Sequence, residues 1–163
     1  MAFIKTQIDM GYSKVIVDLD QAFKVQANFT LKEMANNKAK DNVKAIWNED
    51  VRIHALMLQE LRNKLNRSLN VNSWYRTPAF NKSCGGSSNS LHLKALATDL
   101  SFPRLTDVAY KNIENLWRGI CAAHGKVGGI NRYTNGVHLS SREDFFGYKT
   151  FVTRDYRGKA GDW

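Results

Sequence analysis

The 163-residue sequence is poor in the residues that several protein classes depend on. Two cysteines, Cys84 and Cys121, are too few for a disulfide framework, and we expect both thiols to be free. Two prolines exclude a proline-rich linker protein. No run reaches the roughly 18 apolar residues of a membrane helix, so membrane insertion is not expected. The first residues lack the apolar core of a secretory signal, which predicts synthesis in a cytoplasm.

Composition and charge then limit the class and the partners. Hydrophobic residues at 43% exclude intrinsic disorder, and the length favours one domain over residues 1–163. Lys and Arg number 24 against 15 Asp and Glu, a net charge of +9 that leaves nucleic acid, anionic membrane and anionic cell wall open as partners. Helix-turn-helix, RNP and zinc-finger spacings are all absent, so nucleic acid is not the expected partner.

Hydrophobic periodicity predicts an α+β fold. Thr30 and Glu33 form a capping box that begins a short helix, and apolar spacing predicts longer helices over Glu49–Leu65 and Asp107–His124. Strands are predicted over Tyr12–Leu19, Val71–Tyr75, Ala97–Phe102, Lys126–Tyr133, Val137–Ser140 and Tyr148–Arg154. Asn135-Gly136 indicates a hairpin between two of them. Helices do not alternate with strands, which favours a small antiparallel sheet with helices packed on it.

Three side chains stand out as candidate metal ligands. His54 lies within a helix and His124 at a helix end, so both are interpreted as structural. Asp99 begins an apolar strand, where a lone carboxylate would need a partner. His92 precedes it by seven residues, and His138 follows a predicted turn. Two imidazoles and one carboxylate with an open position are what a catalytic zinc needs.

The segment Ser90-x-His92-x-x-Ala95-x-Ala97-x-Asp99 resembles the Ser-x-His-x-x-Gly-x-Ala-x-Asp signature of the zinc D-amino-acid peptidases. That family includes D-Ala-D-Ala carboxypeptidases and the L-alanyl-D-glutamate endolysins of phages, and its fold is similar to the Hedgehog domain. Further similar segments follow in the family's order across roughly residues 28–163. They are Asn28–Glu33, Trp74–Asn81, Gly85-Gly86, Gly128–Tyr133 and Val137-His138.

The resemblance implies a Zn²⁺ ion held by His92, Asp99 and His138, which would bring the pKa of a water towards about 7. It further implies a catalytic role for Arg76, near the substrate's carboxylate or oxyanion. Ser140 is the second catalytic candidate, as a residue that could at most relay a proton or orient His138. Tyr75 and Ser90 are the expected substrate-binding residues; Trp74 and Tyr75 fit core packing equally well.

The implied activity is hydrolysis of peptide stems or cross-links of bacterial peptidoglycan by a phage-type endolysin. Such an enzyme would be a monomer, made in the host cytoplasm and acting at the cell wall, without nucleic acid as a partner.

Two departures from the family pattern bear on catalysis. The signature glycine is Ala95, a mild change if that position does not need positive φ. The related subgroup has an acid two residues after the last histidine, where this chain has Ser140, and other groups have one at the position of Asn135. Four later acids are possible replacements as general base: Glu143, Asp144, Asp155 and Asp162. The missing carboxylate favours the alternative of a non-catalytic zinc or cell-wall binding module on the same fold.

Overall fold

A computed structural model describes residues 5–9, 14–18, 24–26, 28–35 and 48–163 of the chain. The chain divides into two compact units, one of Met1–Gln59 with Ser73–Leu96 and the other of Glu60–Asn72 with Ala97–Trp163. The single domain over residues 1–163 stays a prediction.

The strands are β1 (Lys5–Asp9), β2 (Lys14–Asp18), β3 (Lys24–Gln26), β4 (Phe29–Thr30), β5 (Asn70–Ser73), β6 (Ala97–Ser101), β7 (Gly129–Tyr133), β8 (Gly136–Ser140) and β9 (Val152–Asp155). The helices are α1 (Leu31–Ala35), α2 (Glu49–Leu65), α3 (Pro78–Ser83) and α4 (Asp107–Ala123), with 3₁₀ turns at Leu91–Lys94 and Glu143–Phe146.

The first unit has a core centred on Trp74. The Trp74 indole is fully buried, and the rings of Phe29 and His54 meet it edge-on at centroid distances of 6.2 and 5.7 Å. Its N–H donates to the Ala95 carbonyl at 2.9 Å, so this buried donor is satisfied. His54 is therefore a core residue, as interpreted from the sequence.

The predicted helix over Glu49–Leu65 is confirmed at both ends. Asn48 caps it, since its Oδ1 accepts from the Val51 amide at 3.0 Å, and Glu49 and Asp50 occupy the positive first turn. The predicted strand over Tyr12–Leu19 is described over Lys14–Asp18, which pairs antiparallel with β1; the other residues of that prediction lie outside the described ranges.

The second unit contains a sheet with the strand order β5-β6-β8-β7-β9. β8 pairs antiparallel with both β6 and β7, while β9 pairs parallel with β7. The α+β class is thus confirmed, but the sheet is mixed rather than wholly antiparallel. Because β6 and β7 already pair with the two edges of β8, β9 pairs with the other edge of β7. The β7–β8 hairpin turns through Thr134 and Asn135, one residue earlier than the Asn-Gly signal indicated.

Helix α4 covers one face of this sheet. The Arg132 guanidinium lies 4.6 Å from the Tyr110 ring centroid and donates to Asp107 at 2.6 Å, and both partners are on α4. Because side chains alternate along a strand, the neighbours of Arg132 in sequence point to the opposite face. Asn131 is on that opposite face, together with His138 and Asp99, which lie opposite it and each other in the strand registers. We call it the ligand face.

Two smaller expectations have clear outcomes. Cys84 and Cys121 are both free, as predicted, and burial raises the pKa of the Cys121 thiol to about 12. Among the described residues, none of the helices is long and apolar enough to cross a membrane.

Candidate metal centre

The orientation of the His92 ring is fixed by a hydrogen bond to the backbone carbonyl of Trp74. The residue is only 2% exposed, and its Nδ1 lies 2.6 Å from the Trp74 carbonyl oxygen. A carbonyl can only accept, so Nδ1 must carry the proton and Nε2 of the neutral ring carries the lone pair. A metal-binding histidine is typically held in this way, by a hydrogen bond from its other nitrogen.

Asp99 and His138 come together through strand pairing. They are opposite each other in the β6–β8 register, and His138 Nδ1 lies 2.8 Å from Asp99 Oδ1. The Asp99 residue is 5% exposed, and the His138 side chain is 15% exposed. Cross-strand neighbours on one face have Cβ atoms about 5 Å apart, so the register alone brings two residues 39 apart in sequence into contact.

One ligand atom from each of His92, Asp99 and His138 lies within 4.8 Å of the others. Two imidazole nitrogens and one carboxylate oxygen form a donor set that suits zinc and leaves room for a further ligand. The hydrogen bond to the Trp74 carbonyl already sets His92 in the tautomer that a metal requires. The three predicted ligands are therefore assembled, and their chemistry fits the ion implied by the resemblance.

Ala95 corrects one expectation about the loop before Asp99. Its φ of +55° places it in the left-handed region, so the position does need positive φ. An L-residue there costs about 1–2 kcal/mol relative to glycine. The methyl group is fully buried, which offsets part of that cost. The change from glycine is tolerated, but it is not neutral for the backbone.

Two of the other predicted site residues, Arg76 and Ser90, contact the segment that bears His92. Arg76 donates its backbone N–H to the His92 carbonyl at 3.0 Å, and its Nε donates to Ser73 Oγ at 2.8 Å. Ser90 caps the 3₁₀ turn, with its Oγ accepting from the His92 amide at 3.3 Å. Tyr75 is 4% exposed, and burial raises the pKa of its hydroxyl. The roles of Arg76 in catalysis and of Tyr75 and Ser90 in substrate binding stay predictions.

Ser140 lies on the ligand face, two residues after His138 along β8. Its Oγ donates to Glu143 Oε1 at 2.6 Å, and its carbonyl accepts from the Trp117 indole at 3.0 Å. Glu143 Oε2 accepts from Arg154 Nη2 at 3.2 Å, and Arg154 Nη1 reaches Asn131 Oδ1 at 3.3 Å. The predicted residue Ser140 is thus part of a buried polar network.

The other three acids proposed as general base are engaged elsewhere. A hydrogen bond from Arg142 holds the pKa of Asp144 below its usual value. The Arg157 side chain lowers the pKa of Asp155 to about 2, and the Thr134 hydroxyl does the same for Asp162. Among the described residues, all three are therefore paired outside the candidate ligand group.

Two contributors to the centre were missed in the sequence. The Trp74 carbonyl is a backbone group, so no residue type could have indicated it. Helix α3 was also missed, although Thr77 before Pro78 is a helix-start signal: Thr77 Oγ1 accepts from the Phe80 amide at 3.2 Å, and Pro78 opens the helix.

Comparison with known proteins gives the family. Residues 27–140, which are 114 of the 163 residues, match the Peptidase M15 family. The matched segment includes all three candidate ligands together with Arg76 and Ser140, while Glu143 follows its end. A search of the curated proteins found no match. The chain therefore belongs to the Peptidase M15 family, the D-Ala-D-Ala carboxypeptidase-like zinc peptidases, and carries a candidate metal site of that class at His92, Asp99 and His138.

Proposed function

We propose that this protein is a zinc-dependent peptidase that hydrolyses peptide stems or cross-links of bacterial peptidoglycan, acting as a phage-type endolysin at the cell wall. The observation that carries the proposal is the cluster of His92, Asp99 and His138 in a chain of the M15 family. The net charge of +9 supports it further, because an anionic wall attracts a basic protein.

Zinc, when bound, acidifies a water and polarises the scissile carbonyl. The chain's own residues position that chemistry. The Trp74 carbonyl orients His92, and the β6–β8 register places Asp99 against His138. The backbone N–H of Arg76 donates a hydrogen bond to the His92 carbonyl, which keeps Arg76 next to the segment that bears a candidate ligand. Its guanidinium is therefore the group that we expect to bind a substrate carboxylate.

The direct test is mass analysis of muropeptides after digestion of purified peptidoglycan. We expect the natural protein to release new amine ends and a chelator to abolish their release. His92→Ala should lose both bound zinc and hydrolysis, because it removes one of only three protein ligands. The product masses also separate cleavage at D-Ala-D-Ala, at L-Ala-D-Glu and within a cross-bridge.

His124→Ala is the matched control. His124 is paired with Glu60 at 2.8 Å and, within the part of the chain that the structure describes, is not in the candidate ligand group, so this variant should keep its zinc and its products. Products from His92→Ala equal to those of the natural protein would exclude the zinc mechanism.

A non-catalytic zinc or cell-wall binding module is the second candidate, because position 140 holds a serine and position 135 an asparagine. Under that hypothesis the natural protein would bind zinc and sediment with purified walls, yet no new amine ends would appear at any enzyme concentration tested.

A further inference from the structure

Among the described residues, one buried acid besides Asp99 lies over the ligand face of the sheet: Glu143, in the 3₁₀ turn after β8. In the strand registers, Asp99 is opposite His138, His138 is opposite Asn131, and Asn131 is opposite Arg154. These four side chains form a row across β6, β8, β7 and β9. Neighbouring strands lie about 4.8 Å apart, so Arg154 starts roughly 10 Å from His138.

A second row runs beside the first. Ser140 and Gly129 are opposite each other, each two residues from the His138–Asn131 pair and therefore about 6.7 Å farther along the strands. The Glu143 carboxylate lies over this second row. A Cβ atom at Gly129 would be 3.0 Å from Glu143 Cγ and 3.1 Å from Oε1, so the absence of a side chain at Gly129 makes the space that Glu143 fills.

Glu143 is held there by two donors from different strands. Ser140 Oγ on β8 donates to Oε1, and Arg154 on β9 donates to Oε2. The Glu143 amide donates to the Val127 carbonyl at 2.7 Å, which fixes the backbone as well. At 3% exposure the residue is as buried as His92, whereas the Asp155 side chain is 50% exposed. Of the four acids named from the sequence, Glu143 is the one on the ligand face.

We infer that Glu143 is the proton-accepting residue of the hydrolysis, with Ser140 and Arg154 as its positioning residues. The inference rests on the proposed function. Glu143 lies three residues after the end of the segment that matches the family, residues 27–140.

The proton balance is simple. As the water oxygen bonds to the scissile carbonyl carbon, an O–H bond of the water breaks and its proton passes to a Glu143 oxygen. When the C–N bond breaks, the same proton forms an N–H bond on the leaving amine, and the carboxylate is restored. Arg154 stays protonated throughout and keeps the Glu143 carboxylate in position through its hydrogen bond to Oε2.

The test compares the natural protein with Glu143→Gln, which keeps the size and the hydrogen-bonding oxygen but cannot accept the proton. We expect kcat to fall by about 10²-fold or more, as is typical for loss of general-base catalysis, while bound zinc stays near one per chain and KM changes little. Added formate should restore part of the activity of Glu143→Ala, because a small carboxylate can occupy the space left by the side chain.

Asp144→Asn is the matched control, because Asp144 is the adjacent acid and is paired with Arg142 at 2.8 Å. It should leave kcat within about twofold of the natural value. The inference is overturned if Glu143→Gln keeps the natural kcat. It is equally overturned if the variant loses zinc or its fold and formate restores nothing to Glu143→Ala, since Glu143 would then be structural. A natural protein that binds zinc but releases no products contradicts the proposed function itself.

Discussion

At the residue scale, each candidate ligand is oriented by a hydrogen bond to a neighbouring group. The Trp74 carbonyl fixes the tautomer of His92, and the indole of the same residue is held by the Ala95 carbonyl. Asp99 and His138 orient each other. Ligands that are buried and held in this way lose little conformational entropy when an ion binds, which favours affinity.

Ala95 provides a prediction at the same scale. Ala95→Val should lower the free energy of unfolding by about 2–3 kcal/mol, because a β-branched residue resists the left-handed region and overpacks a fully buried position. Ala95→Gly should change it by less than about 1 kcal/mol, since relief of backbone strain is offset by the lost methyl group and the more flexible unfolded chain. Urea unfolding at a constant m-value measures both. A valine variant as stable as the natural protein would contradict the assigned backbone conformation.

At the element scale, the Gly/Ser-rich loop Ser83–Ser90, which precedes His92, is held by hydrogen bonds between Asn81 of α3 and both Ser87 and Gly86. We call these two bonds the clasp. Asn81 is buried, its side-chain Nδ2 donates to the Ser87 carbonyl at 2.8 Å, and its backbone carbonyl accepts from the Gly86 amide at 2.8 Å. A Cβ atom at Gly86 would overlap the Asn81 amide group, so a glycine is needed for this close approach. The clasp fixes the entry of the chain into Ser90 and the 3₁₀ turn that carries His92.

Asn81→Ala should therefore weaken both the loop and the metal centre. We expect the free energy of unfolding to fall by about 1–3 kcal/mol, because the Ser87 carbonyl loses its donor. Zinc affinity should fall about tenfold, as is usual when support behind a ligand is removed. Competition with a chromophoric chelator measures the affinity. Ser83→Ala is the control, because the exposed Ser83 hydroxyl donates to the Phe80 carbonyl within α3. Zinc affinity equal to that of the natural protein in Asn81→Ala would show that the clasp does not position His92.

At the scale of the whole molecule, the net positive charge is expected to attract the protein to an anionic polymer such as the cell wall. An excess of nine positive charges acts over roughly 8 Å at physiological ionic strength and over about 3 Å at 1 M salt. Long-range attraction of this kind is additional to any contact at the metal centre, and it does not depend on zinc.

Sedimentation with purified cell walls should therefore fall steeply as salt is raised from about 0.05 M to about 1 M. His92→Ala leaves the formal net charge unchanged, so it should sediment with the walls as the natural protein does at each salt concentration. Two outcomes would contradict this prediction: wall binding that does not change with salt concentration, or wall binding that is lost in His92→Ala. Either would mean that the metal centre, and not the overall charge, governs adsorption.

The sequence by itself determined the local features of this protein. Helix α2 begins at the Asn48 cap and ends where its apolar spacing ends, and the ligand triad was readable because His92 and Asp99 lie within one short motif that resembles a known family. Capping and periodicity act over a few residues, so they can be read from the chain directly.

Only the tertiary structure decided what depends on strand register. The parallel addition of β9 to β7 puts Arg154 opposite Asn131, and the absence of a side chain at Gly129 makes room for Glu143 beside Ser140. The sequence did not distinguish the four acids as candidate general bases, because spacing along the chain does not show which face of the sheet the 3₁₀ turn after β8 covers. A shift of one residue in register would reverse every face, so the choice of Glu143 is made by pairing between strands that are distant in the chain.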